Sequence, residues 1–193
     1  MEQVVLLDET GQAIGVEDKA TVHHQETPLH LAFSCYVFND HGEFLLTQRA
    51  HHKRTFPGVW TNTCCGHPAP EEDMKTAITR RLREELGLTV RSIELALPAF
   101  RYRATMDNGV AENEMCPVFV AFTGEQTPEP NQDEVSGTRW VRWKEFSADV
   151  LSGDADVSPW CALQVRELTE LGPEPAQWPI GTPTSLPPAA RVA

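Results

Sequence analysis

Residues 70–88 read Pro-Glu-Glu-Asp-Met-Lys-Thr-Ala-Ile-Thr-Arg-Arg-Leu-Arg-Glu-Glu-Leu-Gly-Leu, and the stretch is written as a helix. Pro70-Glu-Glu-Asp offers acidic first-turn residues that suit the positive end of a helix, and Gly87 stops it after Leu86. At about 100° per residue, Met74, Ala77, Ile78, Leu82 and Leu86 share one apolar arc, as in a helix laid on a sheet. With Met74 at zero, Glu85 falls at about 20° and Arg81 at about 340°, both inside that arc. Two charged residues four apart therefore point inward. They read either as a buried ion pair, which is costly, or as part of a site whose ligand or metal offsets the cost. Glu72, Arg80 and Arg83 point outward, and Glu84 lies on the edge.

Outward from this helix the pattern is mostly β. Gln3 to Leu7 and Ala13 to Val16, joined by Glu9-Thr-Gly-Gln, predict a short N-terminal hairpin. Leu31 to Phe38 and Glu43 to Thr47, joined at Asn39-Asp-His-Gly, predict two core strands and a tight turn. Residues 50–70 read as irregular, rich in Pro, Gly, His and aromatic residues. Further strands are expected near Thr89 to Leu97, Arg101 to Thr105, Met115 to Phe122 and Thr138 to Trp143, and a last helix over Pro159 to Leu171. The expected architecture is α/β (α+β), a mixed sheet sandwiched by helices.

The chain has 193 residues, so one domain over 1–171 is the expectation. Six of its 15 prolines fall in the last 22 residues, so 172–193 reads as a disordered tail whose deletion leaves activity intact. A net charge of −12 opposes electrostatic binding of nucleic acid. No apolar run reaches the roughly 18 residues of a membrane span, and the N-terminus lacks the pattern of a secretory signal, so cytoplasm is expected. Five cysteines, at 35, 64, 65, 116 and 161, read as free thiols in a reducing compartment. A monomer or weak homo-oligomer is expected.

The series Gly66-x5-Glu72-x7-Arg80-Arg81-Leu82-Arg83-Glu84-Glu85-Leu86-Gly87-Leu88 resembles the signature of the Nudix hydrolase superfamily, except that Arg81 stands where a metal-binding glutamate is expected. Four further segments sharpen the likeness: Leu29-His-Leu-Ala-Phe-Ser, Phe56-Pro-Gly-Val-Trp-Thr-Asn-Thr-Cys-Cys-Gly-His-Pro, Phe100-Arg-Tyr-Arg-Ala and Glu112-Asn-Glu-Met-Cys-Pro-Val-Phe. Together, over about residues 3–165, they look like the type I isopentenyl-diphosphate isomerase family, whose fold is Nudix-like.

That resemblance implies a 1,3-allylic proton shift between isopentenyl and dimethylallyl diphosphate. An unactivated alkene has no carbonyl to spread charge, so protonation to a tertiary carbocation and loss of a different proton need an acid and a base on opposite faces. The resemblance places Cys65 and Glu114 in these roles and Tyr102 beside Glu114. It implies His23, His30, His67, Glu112 and Glu114 as ligands of one Mn²⁺, Mg²⁺ or Zn²⁺, with His24 competing with His23. Glu112 and Glu114 are two apart, on one face if the segment is extended, and a cation would relieve their repulsion. A second ion, Mg²⁺, would bridge Glu85 and the diphosphate. Lys19, Arg49, Lys53 and Arg81 would bind the diphosphate, Trp160 would offer an aromatic face to the cation, and no flavin or nicotinamide is implied.

Two other classes fit part of the pattern. A Nudix diphosphohydrolase would use the same helix but is opposed by Arg81. A non-catalytic metal or diphosphate-binding module would not need Cys65, Tyr102 and Glu114 together.

Overall fold

A computed structural model describes residues 2–191. Twelve strands form two mixed sheets. The first has the order β2-β1-β3-β10-β9, from β1 (Gln3–Leu7), β2 (Ala13–Asp18), β3 (His30–Leu31), β9 (Arg101–Thr105) and β10 (Ala111–Met115). The second has the order β12-β5-β4-β11-β8, from β4 (Phe33–Phe38), β5 (Glu43–Arg49), β8 (Ser92–Leu97), β11 (Val118–Phe122) and β12 (Val135–Arg142). Two short strands, β6 (Trp60–Thr61) and β7 (Cys64–Gly66), pair with β5 and β4.

Alternation along β4 sets the layers. Phe33, Cys35 and Val37 face Ile78, Leu82 and Leu86 of helix α1 (Met74–Leu86). Tyr36 and Phe38 point the other way, toward α2 (Trp143–Ser152) and α3 (Pro159–Glu170). The second sheet is thus sandwiched between α1 and the α2/α3 pair, as expected, while the single expected sheet is two.

Helix α1 starts later than the acidic run suggests. Asp73 is its cap, accepting from the Thr76 N–H at 3.1 Å, and no acid lies in the first turn. Glu72 instead accepts from the Ala69 N–H at 2.8 Å and from Arg80 Nε at 2.9 Å. Gly87 ends the helix at φ 64°, a left-handed conformation that suits glycine.

The run expected over 31–38 breaks at Ala32, and that over 115–122 breaks at Cys116-Pro117. On either side of these breaks the same two segments pair in parallel, first as β3 with β10 and then as β4 with β11. Residues 50–70 are less irregular than their composition suggests, since β6 and β7 lie within them.

The disordered tail is corrected by the structure over its described part. Residues 172–191 form three short 3₁₀ turns and bury Trp178, Leu186 and Ala190. Trp178 lies edge-on to Trp143 at 5.4 Å, the Gly181 N–H donates to Leu95 O at 2.7 Å, and the Ala189 N–H donates to Gly11 O at 2.9 Å. Pro-rich composition limits the unfolded conformations available, so a few large anchors suffice to hold the segment. Residues 192 and 193 of the expected tail lie outside the described residues.

Candidate active site

One cavity of about 500 Å³ opens where the two sheets part, lined by residues from β5, β7, β9, β10, α1 and α3. Sheet register sets its chemistry. Glu114 on β10 is the pairing partner of His30 on β3 and of Tyr102 on β9. The Tyr102 hydroxyl lies 2.9 Å from Glu114 Oε2 and 2.7 Å from Glu112 Oε2, so one phenol donor serves two carboxylates on the same strand face.

Three imidazoles crowd the other side of Glu114. Ring centroids of His23, His30 and His67 lie 5.1–5.8 Å apart. One ligand-type atom from each, with a Glu114 oxygen, falls within 4.8 Å of the others. His67 Nε2 is 3.1 Å and His30 Nε2 3.4 Å from Glu114 Oε1. Among the described residues, His23 Nε2, His30 Nε2 and His67 Nδ1 are buried without a hydrogen-bond partner. Burial lowers the pKa of His23 to about 3 and of His67 to about 4, keeping both rings neutral as ligation requires. At His30 burial is outweighed by the Glu114 carboxylate, which raises the pKa, and the three rings, each with one nitrogen lacking a hydrogen-bond partner, converge beside that carboxylate in a set that fits a divalent cation. His24 is not in this group, since its Nδ1 accepts from the Glu26 N–H. Glu112 lies outside the converging four, with its Oε2 turned to Tyr102.

Cys65 stands apart from that cluster on β7, paired in register with Ser34 of β4. Its sulfur donates to Asn62 Oδ1 at 3.2 Å and lies 3.4 Å from Ser34 Oγ. Burial pushes its pKa up to about 12, so it is a protonated thiol at neutral pH. Among the five free cysteines only Cys65 is not fully buried. Trp160 is buried on the first turn of α3 with Phe56 edge-on at 5.2 Å and Tyr102 at 5.6 Å.

The cationic residues line the same cavity. Arg49 donates to Thr55 O at 2.9 Å, and its guanidinium lies 5.6 Å from the Trp160 ring. Lys19 pairs with Glu2 at 2.7 Å. Arg81 lies inside the fold, with Nε donating to Glu85 Oε1 at 2.8 Å. Gly66 makes room for it: a Cβ there would lie 2.9 Å from the Phe33 ring and 3.1 Å from Arg81 Cγ. Burial raises the Glu85 pKa while Arg81 opposes that rise.

The residues assigned to the site by sequence line this cavity, apart from the alternative ligand His24 and from His30, which joins it through the imidazole cluster. Sequence reasoning missed Glu134, which pairs with Lys53 and lies 3.3 Å from Arg81 Nη2. It also missed Asn62. An acid in an Asp-Glu-Val run and an Asn between two threonines carry no signal without the fold.

A NUDIX domain model matches residues 28–161. Similar folds include a Deinococcus radiodurans crystal structure (TM-score 0.66, 18% identity, 86% of this chain and 99% of that one). The MutT protein of Methanosarcina mazei is a second (TM-score 0.56, 20% identity, 75% and 96%). An isopentenyl-diphosphate Delta-isomerase of Saccharopolyspora erythraea is 69% identical over 193 residues, spanning 100% of this chain and 99% of that protein. Another, from Mycolicibacterium vanbaalenii, is 56% identical over 171 residues, 89% and 93% of the two chains. The chain belongs to the isopentenyl-diphosphate Delta-isomerase family within the NUDIX class.

Proposed function

We propose that this protein is a metal-dependent isomerase that moves a proton across the allylic system of isopentenyl diphosphate to give dimethylallyl diphosphate, and the reverse. The observation that carries the reading is one cavity holding a thiol, Cys65, and a phenol–carboxylate pair, Tyr102 and Glu114, together with a cationic end and a buried indole. In the reaction one of the two groups delivers a proton to the terminal methylene carbon, leaving a tertiary cation. The other removes a proton from the carbon on the far side, and the double bond moves over.

His23, His30, His67 and Glu114 would hold one divalent ion, Mn²⁺, Mg²⁺ or Zn²⁺, with Glu112 completing the set as the resemblance implies. Bound there, the ion supplies positive charge that lowers the proton affinity of Glu114. Tyr102 orients Glu114 through its hydroxyl and gives the proton a path between the two carboxylates. Glu85 would hold Mg²⁺ against the diphosphate, where Arg81, Lys53, Arg49 and Lys19 supply donors. Trp160 presents an unreactive aromatic wall to the cation.

Five free thiols suit a reducing compartment, and we place the protein in the cytoplasm. No helix among the described residues is long and apolar enough to cross a membrane. The test is proton NMR of the protein with isopentenyl diphosphate and Mg²⁺ in D₂O, without flavin or nicotinamide. Deuterated dimethylallyl diphosphate is the expected product. Release of phosphate would replace this reading with a diphosphohydrolase, and an unchanged substrate under varied metals with a binding module.

A further inference from the structure

Asn62 has no exposed surface, and both ends of its amide are committed. Nδ2 donates to two main-chain carbonyls, Cys64 O at 2.9 Å and Cys35 O at 3.2 Å. The reversed amide would set its oxygen against both carbonyl oxygens, so its orientation is decided. Oδ1 receives three donors: Thr61 Oγ1 at 2.9 Å, Trp160 Nε1 at 3.0 Å and Cys65 Sγ at 3.2 Å. Thr61 Oγ1 in turn lies 2.7 Å from Ser158 Oγ, the cap of the helix that carries Trp160.

We infer that Asn62 is the positioning residue of the proton shift, setting the Cys65 thiol and the Trp160 indole against one amide oxygen and leaving the thiol hydrogen free to turn to the substrate. The inference rests on the isomerase reading above. An amide oxygen has two lone pairs and here meets three donors, of which S–H is the weakest. When the thiol hydrogen swings away, Thr61 and Trp160 still satisfy Oδ1, and the penalty for an orphaned buried acceptor does not arise. On the other side of the sulfur, Ser34 Oγ accepts from Gln164 Nε2 at 2.9 Å. Its own hydrogen is therefore directed to Cys65 or to Cys116, each 3.4 Å away. The sulfur is held between the Asn62 amide oxygen and the Ser34 hydroxyl, both fixed by the core. Trp160 cannot shift along α3 without breaking the same oxygen's second bond, so thiol and indole keep one spacing.

The test reads the hydrogen bond directly. The S–H stretching band of Cys65, isolated as the infrared difference between the wild-type protein and Cys65→Ala, is expected below the frequency of a free thiol. In Asn62→Ala it should move toward that frequency, while kcat falls by roughly 10- to 100-fold, as for a reacting group displaced by about 1 Å. KM should stay within about twofold, since uniform binding is untouched. A wild-type Cys65 band at the free-thiol frequency, or wild-type kcat in Asn62→Ala, would overturn the assignment. The wild-type band decides the matter even if Asn62→Ala does not fold. A wild-type protein that leaves isopentenyl diphosphate unchanged would overturn the isomerase reading instead, a distinct result because it involves no substitution at Asn62.

Discussion

Arg81 Nε donates to Glu85 Oε1 at 2.8 Å across one helical turn, with both side chains buried on the inner face of α1. The guanidinium also approaches Glu134, Glu84 and Glu2, so four carboxylates surround it at the cationic end of the cavity. On the proposed reading, an arriving diphosphate would meet donors already oriented by acids, and the cation that accompanies it would find those acids in place.

Removing the arginine alone should therefore harm the fold. Arg81→Ala strands the Glu85 charge in the interior, and we expect a loss of about 3–5 kcal/mol in urea unfolding. Arg81→Met combined with Glu85→Leu should regain most of that stability. It should not regain diphosphate affinity, so its KM for isopentenyl diphosphate stays raised by roughly tenfold or more, the worth of one charge-assisted hydrogen bond. A double variant with wild-type KM would remove Arg81 from the binding role.

Cys65→Ala should leave the fold intact and stop the chemistry. A partly accessible thiol on the cavity wall adds little to the core, while loss of a positioned acid or base costs about 10²- to 10⁴-fold in kcat. Turnover and urea unfolding of one preparation check both halves. Full turnover would exclude Cys65 from the proton shift.

Acid should destabilise the metal-free protein through its imidazoles. His23 and His67 have folded pKa values lowered to about 3 and about 4, chiefly by burial, against 6.5 for a free side chain. Below pH 6.5 the unfolded chain takes up protons that the folded protein refuses, so their contribution to stability is full above that pH and is lost as pH falls toward the folded values. In chelator, the urea midpoint should decline from about pH 6.5 to 4 as these two rings are forced to take up charge, with His30, whose pKa the Glu114 carboxylate raises against burial, working in the opposite sense. His67→Gln should flatten the decline, and an equal slope in that variant would count against the assignment.

Truncation at Gly172 should cost stability, contrary to what the composition of the segment suggests. It removes Trp178, Leu186 and Ala190 from the two cores and the tie from Ala189 to Gly11 in the turn of the N-terminal hairpin. Loss of one buried tryptophan alone is worth about 3–5 kcal/mol. Thermal unfolding of the shortened chain checks this, and an unchanged midpoint would show that the segment only lies on the surface.

The inward pair on α1 was legible because helical period alone puts residues 74, 81 and 85 on one face. Gly87 as the stop and the β1–β2 hairpin follow from local turn chemistry in the same way. Helix α2 was not legible, because β12 runs straight into it and its cap, Arg142, makes no side-chain bond. Strand β7 is three residues long and exists through its pairing with β4, so no periodicity announces it. Strand β12 starts at Val135 because a shift in register takes up Ser136 and leaves Gly137 paired with Gln48, which no local pattern announces. Candidate ligands such as His23 and His30 were reachable only through the family resemblance, since a lone imidazole looks alike on a surface and at a metal. Glu134 meets Lys53 and Arg81, and Asn62 meets Cys35 and Trp160, across long stretches of chain that no local pattern encodes.

The breaks at Ala32 and at Cys116-Pro117 lie side by side, because the two parallel strand pairs they interrupt are neighbours. His30 and Glu114 sit before this bend, whereas Ser34, the partner of Cys65, sits after it. The gap between the imidazole cluster and the thiol is thus a dimension of the backbone, set by one crease shared by two strands. With Cys65 and Glu114 in the roles proposed for them, evolution or design could lengthen or shorten the reach of the proton shift there, fitting a bulkier alkene, while leaving both groups as they stand.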